Sequence, residues 1–177
     1  MDETKNRERK WRLGQGLTLT FPVVIAAVLV IILIAFQIPK YSPVSPDKAA
    51  KILTELGYTP YERTEALRKE FGLGSEIKTG ISAASNTLEI DYFRADGSKG
   101  AASLREALRS YVRTRGWGYA ELLKMNYLTM SCSSGSHHIL FVQLRNTALL
   151  IHYEDSQAAQ VAVLLDALGY PGADRLP

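Results

Sequence analysis

Three features of this 177-residue sequence predict an α+β fold, a two-layer domain carried behind a single N-terminal transmembrane helix. The 22 residues from Leu17 to Ile38 contain no charged side chain. The rest of the chain alternates β-rich runs with amphipathic stretches. A lone cysteine, Cys132, excludes an internal disulfide framework and any multi-cysteine zinc or iron–sulfur site. With 46% hydrophobic and 22% charged residues the chain is neither disordered nor fibrous. The 139 residues from Pro39 to Pro177 make one ordinary domain and leave no room for a second.

The run from Leu17 to Ile38 spans about 33 Å as a helix, against a hydrocarbon core of about 30 Å. Pro22 falls in its first turns, where a missing amide costs little. The run is longer than a signal-peptide core and ends in Ala35-Phe36-Gln37, a poor cleavage site, so it predicts an uncleaved signal anchor. Lys5, Arg7, Arg9, Lys10 and Arg12 precede it and outnumber the cations that follow closely, which predicts a cytoplasmic N-terminus. The expected organisation is a cytoplasmic basic tail over 1–16, a cell-membrane anchor over 17–38, a Pro-rich stalk over 39–46 and an extracytoplasmic α+β domain over 47–177. Five of the 21 basic and three of the 18 acidic residues lie in the tail, which leaves the remainder at a formal charge of only +1. A pI near 9.0 is therefore no argument for nucleic acid. The expected partners are the lipid bilayer and an envelope protein.

Pro39, Pro43 and Pro46 favour an extended polyproline stalk. Ser45 is placed to cap a helix with Pro46 at its first position, and Ala49, Ile52, Leu53 and Leu56 form its apolar stripe before Gly57. Tyr61 to Phe71 reads as a second short helix. The Gly- and Ser-rich stretch from Gly72 to Asn86 reads as a loop. Leu88, Ile90 and Tyr92 alternate with Glu89, Asp91 and Phe93, the period of a strand. After the Asp96-Gly97 turn, Leu104, Ala107, Leu108, Tyr111 and Val112 share one helix face and Arg105, Arg109 and Arg113 share the opposite one. Tyr127–Cys132, His137–Leu144 and Ala148–Tyr153 read as an antiparallel meander, and a helix from about Ser156 to Leu168 ends at Gly169. The predicted order is two short helices followed by β-α-β-β-β-α, a mainly antiparallel four-stranded sheet with its two long helices on one face. Leu56-Gly57-Tyr58 recurs as Leu168-Gly169-Tyr170, which any glycine-capped helix before a packing aromatic would produce.

Candidate chemistry is sparse. A two-residue hairpin loop at Ser134-Gly135 would set Cys132 opposite His137, about 5 Å away, where an imidazole can ionise a thiol for nucleophilic attack. The same face continues through Met130 and Leu128, the pattern of a core. His137, His138 and His152, with Glu154 or Asp155, are metal-ligand types, but neighbouring strand residues point to opposite faces, so no metal site and no cofactor is expected. Glu89 and Asp91 share a strand face with carboxyls roughly 7 Å apart, a spacing compatible with glycosidic acid/base work and equally with a solvated strand face. Arg105, Arg109 and Arg113 are the candidate ligand- or partner-binding row, able to hold an anion or an acidic partner. Gly14-Gln-Gly16 and Gly72-Leu-Gly74 lack the context of a phosphate loop.

The stretch Phe141-Val-Gln-Leu-Arg145-Asn146-Thr147-Ala-Leu-Leu-Ile, an acidic turn, a helix and Leu168-Gly169-Tyr170 resemble the uncharacterised membrane-tethered domains of Gram-positive bacteria over the last 90 residues or so. That resemblance implies a bacterial envelope setting and no defined activity. The expected role is a non-catalytic binding domain or accessory subunit of the cell envelope, with a thiol-dependent enzyme using Cys132 and His137 as the competing class.

Overall fold

The computed structural model describes residues 23–28, 41–115, 118–124 and 127–171. It divides into two units, Met1–Lys40 and Tyr41–Pro177. In the first, residues 23–28 are helical. Among the described residues no helix is long and apolar enough to cross a membrane. This finding corrects the single transmembrane helix expected over Leu17–Ile38, of which all but residues 23–28 lies outside the described residues. The signal-anchor reading and the single-pass cell-membrane placement, with a cytoplasmic N-terminus and an extracytoplasmic domain, are withdrawn with it.

The second unit is built on one antiparallel sheet of seven strands rather than four. Its elements are α1 (Pro46–Glu55), β1 (Tyr61–Glu62), α2 (Thr64–Glu70), β2 (Ile77–Ala84), β3 (Leu88–Ala95), α3 (Gly97–Arg113), β4 (Tyr119–Leu123), β5 (Tyr127–Ser134), β6 (His137–Leu144), β7 (Thr147–Glu154) and α4 (Ala158–Ala167), the last entered through a 3-10 turn at Asp155–Gln157. The strands lie in the order β1-β2-β3-β7-β6-β5-β4.

Helices cover both faces of this sheet. On one face Ala49 and Leu53 of α1 and Val161, Leu164 and Leu165 of α4 pack with Ile90, Tyr92, Leu140, Val142, Leu149 and Ile151. On the other, Leu67 of α2 and Leu104, Leu108 and Val112 of α3 pack with Phe93, Met130, Ile139, Phe141 and Leu150. The architecture is a three-layer sandwich, which replaces the two-layer arrangement with both long helices on one side. The uninterrupted apolar runs Ile139–Val142 and Ala148–Ile151 require it, because strands with one wet face alternate and these do not.

α1 begins where the Ser45–Pro46 pair predicts, with the Ser45 hydroxyl accepting from the Lys48 amide at 3.4 Å. Residues 41–45 do not stand off the domain as a spacer. The Val44 amide donates to the Leu168 carbonyl at 3.3 Å, the Tyr92 hydroxyl donates to the Val44 carbonyl at 2.6 Å, and the Tyr41 ring meets Tyr127 edge-on.

β2 replaces most of the expected loop. Its small residues exist for packing: a Cβ on Gly80 would lie 2.6 Å from Leu67 Cδ1 and 3.3 Å from Thr64 Cα, so α2 sits directly on the strand. The Gly80 amide donates to Thr64 Oγ1 at 2.7 Å, and the Gly80 carbonyl accepts from the Arg63 amide at 2.9 Å. Arg68 closes the far end by donating to the Ile77 carbonyl through Nε at 2.9 Å and Nη2 at 2.6 Å.

Gly100 repeats this device in α3. A Cβ there would lie 2.7 Å from the Glu76 carbonyl oxygen, which already accepts from the Asp96 amide at 2.8 Å. Glycine to alanine inside an exposed helix normally gains about 1 kcal/mol. For Gly100→Ala the expected sign is reversed, a loss of about 1–3 kcal/mol from forcing α3 off the backbone of residue 76, read from urea unfolding midpoints.

Candidate functional site

The structure separates the residues of the expected thiol site. The β5–β6 loop is Gly135-Ser136, with Gly135 at φ +59°, so Ser134 pairs with His137 and Cys132 pairs with Ile139. The loop lies one residue later than Ser134-Gly135, and every rung moves with it. Cys132 is buried beside Met130, Ile139 and Phe141, and burial raises its thiol pKa, with the charge of Arg115 opposing. His137 is exposed two rungs further out, its Nδ1 3.9 Å from Glu154. A neutral, covered thiol away from that imidazole behaves as a small hydrophobe.

The other histidines are also dispersed. His138 stacks on Tyr153 and bonds Asp155 through Nε2. His152 lies on the opposite face, 3.4 Å from the Tyr111 hydroxyl, and its pKa is lowered first by burial. Among the described residues no group of three His, Cys, Asp or Glu is placed to hold a metal ion.

Two polar clusters do form, both on the face covered by α2 and α3. The first gathers around Arg63, at the start of α2. Its guanidinium lies 3.1 Å from Glu70, 3.5 Å from Glu89 and 3.7 Å from Asp91. Asp91 also accepts from the Ser82 hydroxyl directly across the β2–β3 pair. Burial pushes the Asp91 carboxyl from its ordinary 3.8 up to about 6; the Glu89 and Glu70 charges add to this, while Ser82 and Arg63 oppose it. Such a group can exchange a proton near neutrality. With 3% exposure and Oδ1 committed to Ser82 and Arg63, it has no open side for a substrate.

The second cluster joins the predicted arginine row to Glu121 and to Gln143, the second of which sequence reasoning missed. Arg105 turns inward, Nε donating to Gln143 Oε1 at 2.8 Å while Gln143 Nε2 donates to the Ala101 carbonyl at 2.7 Å. Arg109 and Arg113 both reach Glu121 on β4: Arg109 Nη2 donates to Oε1, and Arg113 Nη2 to Oε2 at 3.2 Å. Arg109 Nη1 donates to Glu106 at 3.1 Å, and the Arg113 guanidinium lies over the Tyr119 ring, 5.4 Å from its centre. Arg109 and Arg113 therefore clasp α3 to β4, and Arg105 ties α3 to β6, so the row is not a set of free cations.

β4 is the last strand of the sheet. Its neighbour is β5, and among the described residues no strand lies on its outer side. Tyr119 is 49% and Leu123 66% exposed. The signal for this site was present in Tyr119-Ala-Glu-Leu-Leu123, but Gly118 and Lys124 around so short a run mask it as a connection.

No family model matches the chain, and no curated protein matches it. The solved structure of a GTP-binding regulator from Thermotoga maritima is similar over 71% of this chain and 88% of its own, with 13% identity and a TM-score of 0.47. A likeness at that level defines neither the fold nor the function of this chain.

Two outcomes follow from these geometries. A carboxyl with a raised folded pKa contributes stability while neutral, fully below pH about 4, and that contribution is lost as pH rises through about 6. The gap amounts to a penalty on the order of 3 kcal/mol at pH 8. Asp91→Asn, which keeps an acceptor for Ser82, is expected to be more stable than the wild type at pH 8 and to lose that advantage by pH 4; equal differences at both pH values in chemical unfolding would contradict it. Cys132 is expected to react with a disulfide reagent at pH 8 about a hundredfold more slowly in the folded chain than in urea, followed by absorbance.

Proposed function

We propose that this domain is a non-catalytic binding module that recruits a protein partner along the β4 edge of its sheet. The observation that carries the reading is the contrast between the two edges. Edge strands present unpaired amide and carbonyl groups, and folded proteins ordinarily blunt them. β1 is blunted by being two residues long and preceded by Pro60. β4 runs for five residues without proline, and its one charge, Glu121, is neutralised from within by Arg109 and Arg113.

Strand addition to such an edge takes affinity from main-chain hydrogen bonds and specificity from alternate side chains. Tyr119 and Leu123 share one face and supply exposed apolar contacts on either side of Glu121. The clasp keeps β4 on the sheet before any partner arrives, which reduces the ordering cost of binding. Arg109 and Arg113 serve this reading through β4 rather than by gripping an anion directly, while Arg105 is held by Gln143 of β6.

A photoreactive benzoylphenylalanine replacing Tyr119, in the full chain and its native host, tests the proposal. Irradiation is expected to give a discrete protein adduct, and Leu123→Lys is expected to reduce it about tenfold. The same probe at Val163, exposed on α4, is expected to give none. An absent Tyr119 adduct, or one indifferent to Leu123→Lys, would overturn the reading.

A further inference from the structure

We infer that the partner at this edge is a second copy of the same chain, paired β4 to β4 in antiparallel register about a two-fold axis at Glu121. The inference rests on the reading of β4 as a binding edge and adds the identity of the occupant. A two-fold interface must be self-complementary, with residue i meeting residue j and j meeting i. β4 satisfies this about its middle residue. Pairing through Glu121 sets Tyr119 opposite Leu123 of the second copy and Ala120 opposite Leu122.

Both exposed apolar residues are used twice by that arrangement. Tyr119, Glu121 and Leu123 lie on the α3 face of the sheet, since they pair with Cys132, Met130 and Leu128 of its core. On this face each tyrosine ring meets a leucine, an aromatic–aliphatic cross-strand pair of the kind that stabilises sheets. On the other face each small Ala120 meets a larger Leu122, so the rung is filled without crowding.

Charge supports the same axis. Two glutamates facing each other across a pair of strands repel when bare. Here each Glu121 is already bonded to Arg109 and Arg113 of its own chain, and Arg109 also holds Glu106. Each copy thus brings two arginines and two glutamates to the axis, with no net charge. An unrelated acidic or basic strand would find no such balance. The result is one continuous antiparallel sheet through both copies, with an α3 helix of each chain on the same face at the junction.

Crosslinking in the intact chain tests the pairing and its register. Tyr119 faces Cys132 within one chain, so Cys132→Ala is the background, and Cys132→Val is used in parallel to preserve core volume. In an antiparallel pair directly opposite Cα atoms lie about 4.5–5.5 Å apart, within reach of a disulfide. Tyr119→Cys combined with Leu123→Cys is expected to give an oxidised dimer joined between positions 119 and 123, and neither single substitution is expected to link above background. Sedimentation of the otherwise unaltered chain is expected to show a dimer that Leu123→Lys weakens about tenfold, with the melting temperature unchanged at dilutions where both chains are monomeric. A chain that stays monomeric, with no link between positions 119 and 123, overturns the second copy as occupant. If the Tyr119 photo-adduct to a different protein persists in that case, the binding-edge reading stands alone; if it too is absent, both fail.

Discussion

β6 and β7 carry apolar side chains on both of their faces, Leu140, Val142, Leu149 and Ile151 on one and Ile139, Phe141, Ala148 and Leu150 on the other. Neither face can be left to water, since each buried Leu or Ile is worth about 1.5–3 kcal/mol relative to exposure. Two helices are needed on each side, and the chain supplies them from separated segments. α1 and α4, from the two ends of the domain, cover one face, and α2 and α3 cover the other. This double covering places β3 and β7 side by side although about 50 residues separate them, and it pushes β1 and β4 out to the edges.

Once both faces are occupied, the margins are left for polar groups and for partners. The Arg63 and Glu121 clusters both lie on the α2/α3 face. Around Arg63 three carboxylates share one guanidinium, so one of them, Asp91, is held near its neutral form and the joint between α2 and the sheet tolerates the excess of acid. Around Glu121 two guanidiniums meet one carboxylate while Glu106 takes the other side of Arg109, so the charges balance, and the bonds hold a short strand that has a single neighbour.

The legible parts of the fold were those whose side chains announce themselves. The Ser45–Pro46 helix start and the three long strands of the meander follow from capping chemistry and β-rich runs between turns. β2 was hidden because glycine, serine and alanine are turn and loop residues by composition, yet here they are small so that Leu67 and Thr64 can approach. The loop slipped by one residue, and the partner of Cys132 by two, because both Ser134-Gly135 and Gly135-Ser136 make acceptable two-residue loops and local sequence does not choose between them. Core packing chooses, by setting Met130 against Phe141.

Arg105, Arg109 and Arg113 show most clearly why a pattern of charge is not yet a site. Their spacing places them on one helix face in any account, and that much is written in the chain. What they face is decided by β4, which begins beyond the end of α3 and returns antiparallel to β5. Glu121 then arrives beneath Arg109 and Arg113, while Gln143, from β6 two strands further in, takes Arg105. A row that looked free to bind an anion is bonded within the fold itself, and what remains exposed beside it is the apolar pair Tyr119 and Leu123. The chemistry this margin offers to another molecule is therefore main-chain hydrogen bonding and apolar contact, which a strand supplies and a small anion does not.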